Sequence, residues 1–416
     1  MTNRQDREVA AEAQPVPHSL PKEPGARLDW PDIARGLSIL GVVLLHVTLA
    51  VPEGGSTLIA ELNHFLDPLR MPLFFLVSGF FSVKVLNQSF ARLFTTRLWF
   101  FLVPYAIWAP IELYSHYVEV DLHAGHPPMP LQFYVSAIIN GGTMYWFLHA
   151  LVCFNLVLWL TRRLPRWAIV LVALSPMLLM PAFSDHLLVR RMVIYLPVFL
   201  IGVYLRPQIA RFAEMAARPR TVVTVVALYV AGMAVSTLWA LFAHRTPGEG
   251  QLWLIDLKDD IAAFLGGELT PFDLGHIQSL LVYLLSVPAG IVVSVLLARI
   301  GPVARGLKFF GRHTLPIYLG HALGINIIFG WFIRYRFMEI DNTSPNPLHW
   351  TQTWMAVVFL LAMLGAGIVY VISRIPVLGW IVVPPRLTGP TRPAAVTAPV
   401  ADPARGRTGA LDPPRT

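Results

Sequence analysis

Two ionisable residues share the first long apolar segment of the chain, in which Arg35 is followed eleven residues later by His46. In an α-helix each residue turns about 100°, so eleven residues bring the second side chain to within about 20° of the first. At about 1.5 Å per residue, the two lie about 16 Å apart along one face. An imidazole can act as a base or nucleophile, and a guanidinium binds phosphate or carboxylate. The pair therefore predicts a functional path through a bilayer.

The composition is typical of an integral membrane protein. Of 416 residues, 55% are hydrophobic and 13% are charged, whereas soluble proteins average about 25% charged residues. Ten apolar segments of roughly spanning length run at residues 33–51, 64–86, 97–115, 144–161, 167–183, 192–206, 221–243, 277–298, 314–333 and 351–373. We therefore expect an all-α, polytopic membrane domain over residues 31–375. Polar tails at 1–30 and 376–416 are predicted to be flexible and disordered.

The distribution of basic residues predicts one orientation. With ten spans and the N-terminus in the cytoplasm, most Lys and Arg fall in cytoplasmic segments, and the outer loops 52–63 and 115–132 contain none. This asymmetry follows the positive-inside rule and places both termini in the cytoplasm. The net charge of +8 is then mostly topological. We expect membrane lipid around the protein and no nucleic-acid partner.

Several other classes of protein and site are disfavoured. The sequence shows no glycine-rich phosphate loop, which argues against an ATP-driven pump. His116, His123 and His126 share an irregular segment without clear ligand spacing, so we predict no metal site. Cys153 is the one cysteine, and its simplest interpretation is a small buried hydrophobe.

Further polar residues fall inside the apolar segments, where lipid disfavours them. Arg70 lies six residues after His64 and, because its helix runs in the opposite direction, at a predicted depth close to that of His46. His149, near the start of the fourth segment, is predicted in the same layer. Arg70 could instead extend to the headgroups, His149 could be a packing residue, and His64 could be solvated at the interface.

Other candidates have equally plain alternatives. Tyr318 and His321 are i,i+3 neighbours on one helical face. Arg97 and Arg312 also fit ordinary positive-inside residues. Ser78 precedes a glycine and could belong to a small-residue helix contact.

Taken in order along the chain, these motifs resemble the acyltransferase-3 family of integral membrane acyltransferases. The matching motifs are Asp32-x-x-Arg35-Gly, Arg35-x10-His46, Met71-Pro-Leu-Phe-Phe-Leu-Val-Ser-Gly79, Arg97 with Leu102-Val-Pro-Tyr105, Trp146-Phe-Leu-His149, Leu196-Pro-Val-Phe-Leu-Ile-Gly202 and Gly311-Arg-His-Thr-Leu-Pro-Ile-Tyr318-Leu-Gly-His321. The resemblance covers residues 27–375, and the stretch from His64 to Ser82 is similar to the branch that includes periplasmic glucan succinyltransferases. One departure concerns the Arg-x-x-Arg motif of many members. Arg97 is present, but residues 100 and 101 are Phe100 and Phe101, which argues against a contact of two arginines with the donor at this position. Arg92 is an alternative at a different spacing.

The resemblance implies transfer of an acyl group, with acetyl expected, from acyl-CoA in the cytoplasm to a hydroxyl of a carbohydrate or glycolipid outside. Acyl-CoA is then a substrate, no cofactor is bound permanently, and the protein is expected as a multi-pass protein of a bacterial inner membrane. Arg70 leaves succinyl-CoA open as the donor.

The roles that we assign follow the same scheme. His46 is the predicted catalytic base or nucleophile, supported by Arg35 and by Asp32, which is expected to hold the Arg35 guanidinium. The predicted donor contacts are Arg35, Arg97, Arg312, Tyr318 and His321. The predicted acceptor contacts are His64, Arg70, Ser78, Trp146 and His149. Direct attack and an acyl-enzyme route both remain open.

Two rival functions use the same residues differently. A transporter or flippase for a glycan or lipid would line its path with them, although the sequence shows no duplicated half. A non-catalytic scaffold or receptor predicts scattered polar residues, whereas several of these share a predicted depth.

Overall fold

The computed structural model describes residues 28–125, 129–183, 186–243 and 271–387. Within these ranges every regular element is helical, which confirms the all-α prediction. The tails predicted at 1–30 and 376–416 lie mostly outside the described residues, as does His126.

The membrane-spanning helices coincide with the apolar segments of the sequence. Among the described residues, nine helical stretches are long and apolar enough to cross a membrane; they are Trp30–Ala50, Asp67–Asn87, Phe90–Leu122, Arg166–Phe183, Leu187–Tyr204, Pro219–Leu241, Asp273–Leu297, Thr314–Phe337 and Thr351–Ile372. A tenth apolar helix, Trp146–Thr161, is shorter, with 16 residues. The ten helices match the ten predicted segments one for one, so the chain is a polytopic membrane protein.

We number the helices in chain order. They are α1 (Trp30–Ala50), α2 (Leu58–Phe65), α3 (Met71–Phe80), α4 (Phe90–Leu93), α5 (Trp99–Ala124), α6 (Leu131–Ile139), α7 (Trp146–Thr161), α8 (Arg166–Phe183), α9 (Leu187–Tyr204), α10 (Arg206–Met215), α11 (Pro219–Ala243), α12 (Pro271–Leu297), α13 (Gly301–Arg312), α14 (Thr314–Leu323), α15 (Tyr335–Phe337) and α16 (Thr351–Ile372). Two π-helical stretches join neighbouring helices: Phe94–Leu98 precedes α5, and Gly324–Arg334 follows α14. Such π-helical turns are often found at functional sites.

Close helix pairs in this bundle meet at glycines. A Cβ on Gly36 of α1 would overlap the Leu307 carbonyl of α13, and a Cβ on Gly79 of α3 would overlap the Phe199 carbonyl of α9. Small residues let the backbones approach closely. Because lipid tails are as apolar as the side chains, membrane helices associate through such van der Waals packing and not through the hydrophobic effect. The positions of α1, which carries Asp32, Arg35 and His46, and of α3, which carries Ser78, are therefore fixed by backbone contact.

The α14–α16 contact gives a test of this packing. A Cβ on Gly320 would lie 2.5 Å from the Cα of Ala366, whereas a Cβ on Gly367 would meet nothing within 4 Å. We expect Gly320→Val to destabilise the protein by about 2 kcal/mol or more, because an overpacked backbone contact must separate. The matched variant Gly367→Val should unfold near the wild-type temperature. Thermal unfolding in detergent measures both, and equal stability of the two variants would contradict this packing.

Two interruptions of the helices position polar residues. Between α2 and α3, a short 3-10 turn at Asp67–Leu69 makes Arg70 the first residue before α3. Before α7, the turn at residues 140–145 is held by the Arg191 guanidinium, which donates to the Gly141 carbonyl, and by Glu112, which accepts from the Met144 amide at 3.2 Å. Irregular backbone at membrane depth requires such internal partners.

Candidate active site

A cavity of about 360 Å³ lies among α1, α3, α5, α7 and α14. At one end of the bundle its wall includes the exposed side chains of Lys84 and Thr96, together with Arg35 and Arg97. We call this the basic end of the bundle, and the part of the cavity beside these residues its mouth. An anionic ligand would meet three cationic side chains there.

The lining of the cavity changes from polar to apolar with depth. Along α1, the lining residues are Arg35, Ile39 and Val42, which span about 10 Å at 1.5 Å per residue. Along α3, which runs in the opposite direction, Ser78 lies nearer the mouth than Phe74 and Met71. The cavity therefore suits an elongated molecule with a charged head and a neutral, apolar end.

Phe81 organises the two arginines of the mouth. The Arg35 guanidinium carbon lies 4.7 Å from the centroid of the Phe81 ring, and Arg97 donates to the Phe81 carbonyl at 3.2 Å. Phe100 and Phe101, which lie at the position of the second arginine of the Arg-x-x-Arg motif, also line the cavity. The third cation of the mouth is Lys84, which the sequence did not single out.

A pair of histidines lies just beyond the apolar end. His46 is one helical turn past Val42, and His321 is one turn past Tyr318, and both Val42 and Tyr318 line the cavity. The two imidazole ring centroids are 5.2 Å apart. His321 is fully buried and His46 is half-buried. The structure thus brings together two residues that lie far apart in the sequence.

Arg70 lies near His46. Its alkyl chain packs on α1, where a Cβ on Gly41 would lie 2.9 Å from the Arg70 Cγ. Its guanidinium forms an ion pair with Asp67 and donates to the Asn63 carbonyl at 3.2 Å. Asp67 also accepts from the Tyr283 hydroxyl at 3.2 Å. Arg70 is therefore a fixed positive charge, and its charge interacts with His46.

The other predicted acceptor contacts do not form one cluster. The Trp146 ring lies 4.5 Å beneath the Arg191 guanidinium carbon, and His149 packs against the Tyr105 ring at 5.5 Å. His64 is exposed and lines a separate cavity of about 60 Å³. Ser78 lines the cavity that opens toward the basic end.

Asp32 and Arg312 form an ion pair. The Arg312 Nε donates to the Asp32 Oδ2 at 3.0 Å, and this contact ties α13 to the start of α1. Arg312 is absent from the cavity lining, whereas Arg35, Arg97 and Tyr318 are part of it. The predicted donor contacts are thus divided, with His321 beyond the apolar end and Arg312 at a helix junction.

The model of the acyltransferase-3 family, which is described as an acyltransferase domain, matches residues 28–374. The chain belongs to the acyltransferase-3 family. Searches of curated proteins and of solved structures gave no match. The chain is therefore a multi-pass membrane O-acyltransferase, as the motifs predicted, and its branch within the family is not decided by this match.

Sequence reasoning missed three residues of this acyltransferase. Lys84 and Arg191 were counted only as charges that follow topology, and Asp67 was not weighed. A local signal existed for Asp67, which is three residues before Arg70 and so within reach of it. No local signal existed for Arg191, because its contacts with Gly141 and Trp146 depend on how α7 and α9 pack.

Proposed function

We propose that this acyltransferase moves an acetyl group from acetyl-CoA to a hydroxyl of a cell-envelope carbohydrate or glycolipid, and that it acts in a bacterial inner membrane. The observation that carries the proposal is the cavity with a basic mouth and an apolar end next to His46 and His321. Coenzyme A is a polyanion on a long flexible arm, so its phosphates fit the mouth and its thioester fits the apolar end.

The proposed orientation follows the basic residues. The mouth, with Arg35, Lys84 and Arg97, faces the cytoplasm, where acyl-CoA is found and where the positive-inside rule places these residues. The acceptor then approaches from the opposite end, where Arg70, Arg191 and Trp146 lie. Donor and acceptor meet at His46 from opposite sides of the membrane.

In the proposed reaction His46 acts as the general base. Its unprotonated nitrogen takes the proton of the acceptor hydroxyl while the oxygen attacks the thioester carbonyl carbon. An oxygen–carbon bond forms, the carbon–sulfur bond breaks, and the proton passes from His46 to the departing thiolate. The products are the acetyl ester and coenzyme A.

The apolar end of the cavity favours a small neutral acyl group. Val42, Met71 and Phe147 line it, and the Arg70 guanidinium is already paired with Asp67. A succinyl group would bury a carboxylate there without a partner, which costs several kcal/mol. We therefore expect kcat/KM for acetyl-CoA to exceed that for succinyl-CoA by about 100-fold or more. Competition between the two thioesters measures this ratio, and a ratio near one would contradict the proposed fit.

The decisive experiment follows a label across the membrane. Membranes from cells that lack the native protein and express this chain are given acetyl-CoA labelled in the acetyl group. We expect label in a base-labile ester of the envelope glycan or glycolipid fraction, with release of free coenzyme A. Transport of an unmodified glycan or lipid without thioester cleavage would reject the proposal in favour of a flippase.

Purified protein in detergent, without the envelope acceptor, separates the two catalytic routes. Without an acceptor, a direct transfer leaves the protein unlabelled, whereas an acyl-enzyme route places the acetyl group on the His46 imidazole. Mass spectrometry of the peptide that contains His46 distinguishes them, and we expect no acetylated peptide.

A further inference from the structure

His321 is a buried imidazole whose tautomer is set by its own helix. Its exposed fraction is 0%, and its Nδ1 lies 3.1 Å from the carbonyl oxygen of Ile317. A carbonyl oxygen only accepts, so Nδ1 carries the hydrogen and Nε2 of the neutral ring carries the lone pair. Among the described residues this Nε2 has no hydrogen-bond partner. Buried polar atoms are rarely without a hydrogen-bond partner, so we expect the Nε2 lone pair to accept a hydrogen bond in the functioning protein.

His46 is placed to supply that donor. The two ring centroids are 5.2 Å apart and the rings are tilted by 45°. Imidazoles joined by an N–H···N bond have centroids about 5 Å apart, since the nitrogens are about 3 Å apart and each lies about 1 Å from its own centroid. Within the described part of the chain, His46 makes no hydrogen bond. The spacing of the two rings is therefore that of a hydrogen-bonded pair of imidazoles.

We propose that His321 is the positioning residue for His46, and that its Nε2 accepts a hydrogen bond from one ring N–H of His46. The bond fixes the orientation and the tautomer of His46, so the other nitrogen of His46 is unprotonated and can take the acceptor's proton. A catalytic base that is itself oriented by a third group is the arrangement of the serine–histidine–aspartate triad. When His46 becomes an imidazolium, the same bond becomes charge-assisted and stronger.

A neutral partner suits this location. A carboxylate in place of His321 would need its own counterion in the apolar interior, and the one cation placed close to His46 by the contacts described above, Arg70, is already paired with Asp67. A histidine with a fixed tautomer offers an acceptor without adding a charge. This proposal rests on the proposed function, because it gives His321 a role in the same reaction and removes it from the donor contacts.

Two amide substitutions separate the functions of the two His321 nitrogens. In His321→Asn, the amide can replace Nδ1 and donate to the Ile317 carbonyl, but it does not reach the position of Nε2. In His321→Gln, the amide oxygen reaches the position of Nε2 and can accept from His46. We expect the Asn variant to lose about 100-fold in kcat, with the KM for acetyl-CoA within about twofold of wild type. The kcat of the Gln variant should be at least about tenfold higher than that of the Asn variant.

The assay uses membranes of cells that lack the native protein, with labelled acetyl-CoA as the donor and the endogenous envelope glycan as the acceptor. Thermal unfolding of each variant in detergent shows whether it is folded at the assay temperature. If the Asn variant is not folded, His321→Phe, which keeps an aromatic ring but has no hydrogen-bond acceptor, replaces it with the same expected loss.

The outcomes are distinguishable. If wild-type protein transfers no label, the proposed function fails. If wild type is active and the Asn or Phe variant has a normal kcat, only the role of His321 fails. A raised KM for acetyl-CoA with an unchanged kcat would return His321 to donor binding, and a Gln variant no better than Asn would reject the hydrogen bond to His46.

Discussion

His46→Ala should abolish acyl transfer while leaving a folded, membrane-inserted protein. The imidazole is half-buried beyond the apolar end of the donor cavity, and the other imidazole there, His321, is fully buried. Loss of a general base costs about 10²- to 10⁴-fold in rate. We expect the loss in kcat to lie near the upper end of that range.

The measurement is transfer of labelled acetyl to the envelope glycan, with protein amount and thermal unfolding determined in parallel. His313→Gln is a matched control, since His313 bonds to the Phe309 carbonyl at the basic end and does not line the cavity. It should keep near wild-type turnover. Normal turnover in His46→Ala would reject the assignment of the catalytic residue, and equal losses in both variants would point to a general effect on folding.

The sequence predicted the helices well because lipid imposes a simple rule. Each span must satisfy its backbone internally and present apolar side chains, so hydropathy alone found the ten apolar helices of the described residues. The interruptions were harder to predict. The turn at Asp67–Leu69 and the π-helical stretch Gly324–Arg334 depend on contacts from other helices, such as Tyr283 with Asp67, and no local pattern contains that information.

The candidate site was predictable residue by residue but not as an arrangement. The depth of His46 in an apolar helix marked it as functional, and Arg35 shares its face. The partnership of His46 with His321 could not be deduced, because α14 reaches α1 only when α13, which directly precedes it, packs on α1 through Gly36 and Gly311. The same packing brings Asp32 and Arg312 together as an ion pair. The spacing of Asp32 and Arg35 in the sequence did not indicate that pairing.

Substitution of Arg35 by Lys should raise the KM for acetyl-CoA by about tenfold or more and change kcat little. The lysine keeps the charge but loses the planar fork that binds phosphate and the stacking on the Phe81 ring, from which the Arg35 guanidinium carbon lies 4.7 Å. Arg97→Lys should act in the same direction. Because both arginines rest on Phe81 and face one ligand, the double variant should lose less than the product of the single losses.

Arg162→Lys provides the matched control for these variants. Arg162 also stacks on an aromatic ring, with its guanidinium carbon 4.0 Å from the centroid of Trp159, but it does not line the cavity. Arg162→Lys loses the same planar fork and ring stacking at a position that does not contact the proposed donor. The KM of this variant for acetyl-CoA should therefore stay within about twofold of wild type. Arg312→Ala should lower thermal stability, because the buried Asp32 loses this ion pair, and should affect the KM for acetyl-CoA less than Arg35→Lys does.

Binding of coenzyme A without an acceptor tests the contacts of the donor with Arg35 and Arg97 independently of catalysis. Calorimetric titration of purified protein with coenzyme A should show weaker binding for Arg35→Lys and Arg97→Lys, and wild-type binding for Arg162→Lys. Raised salt should weaken the wild-type binding as well, since exposed charges at the mouth are screened. Unchanged binding in Arg35→Lys would make Arg35 a topological anchor and would move the donor phosphates away from the basic mouth. Phosphate recognition would then have to come from Lys84 and Arg97, and the alignment of Arg35 with His46 on one face of α1 would have no part in donor binding.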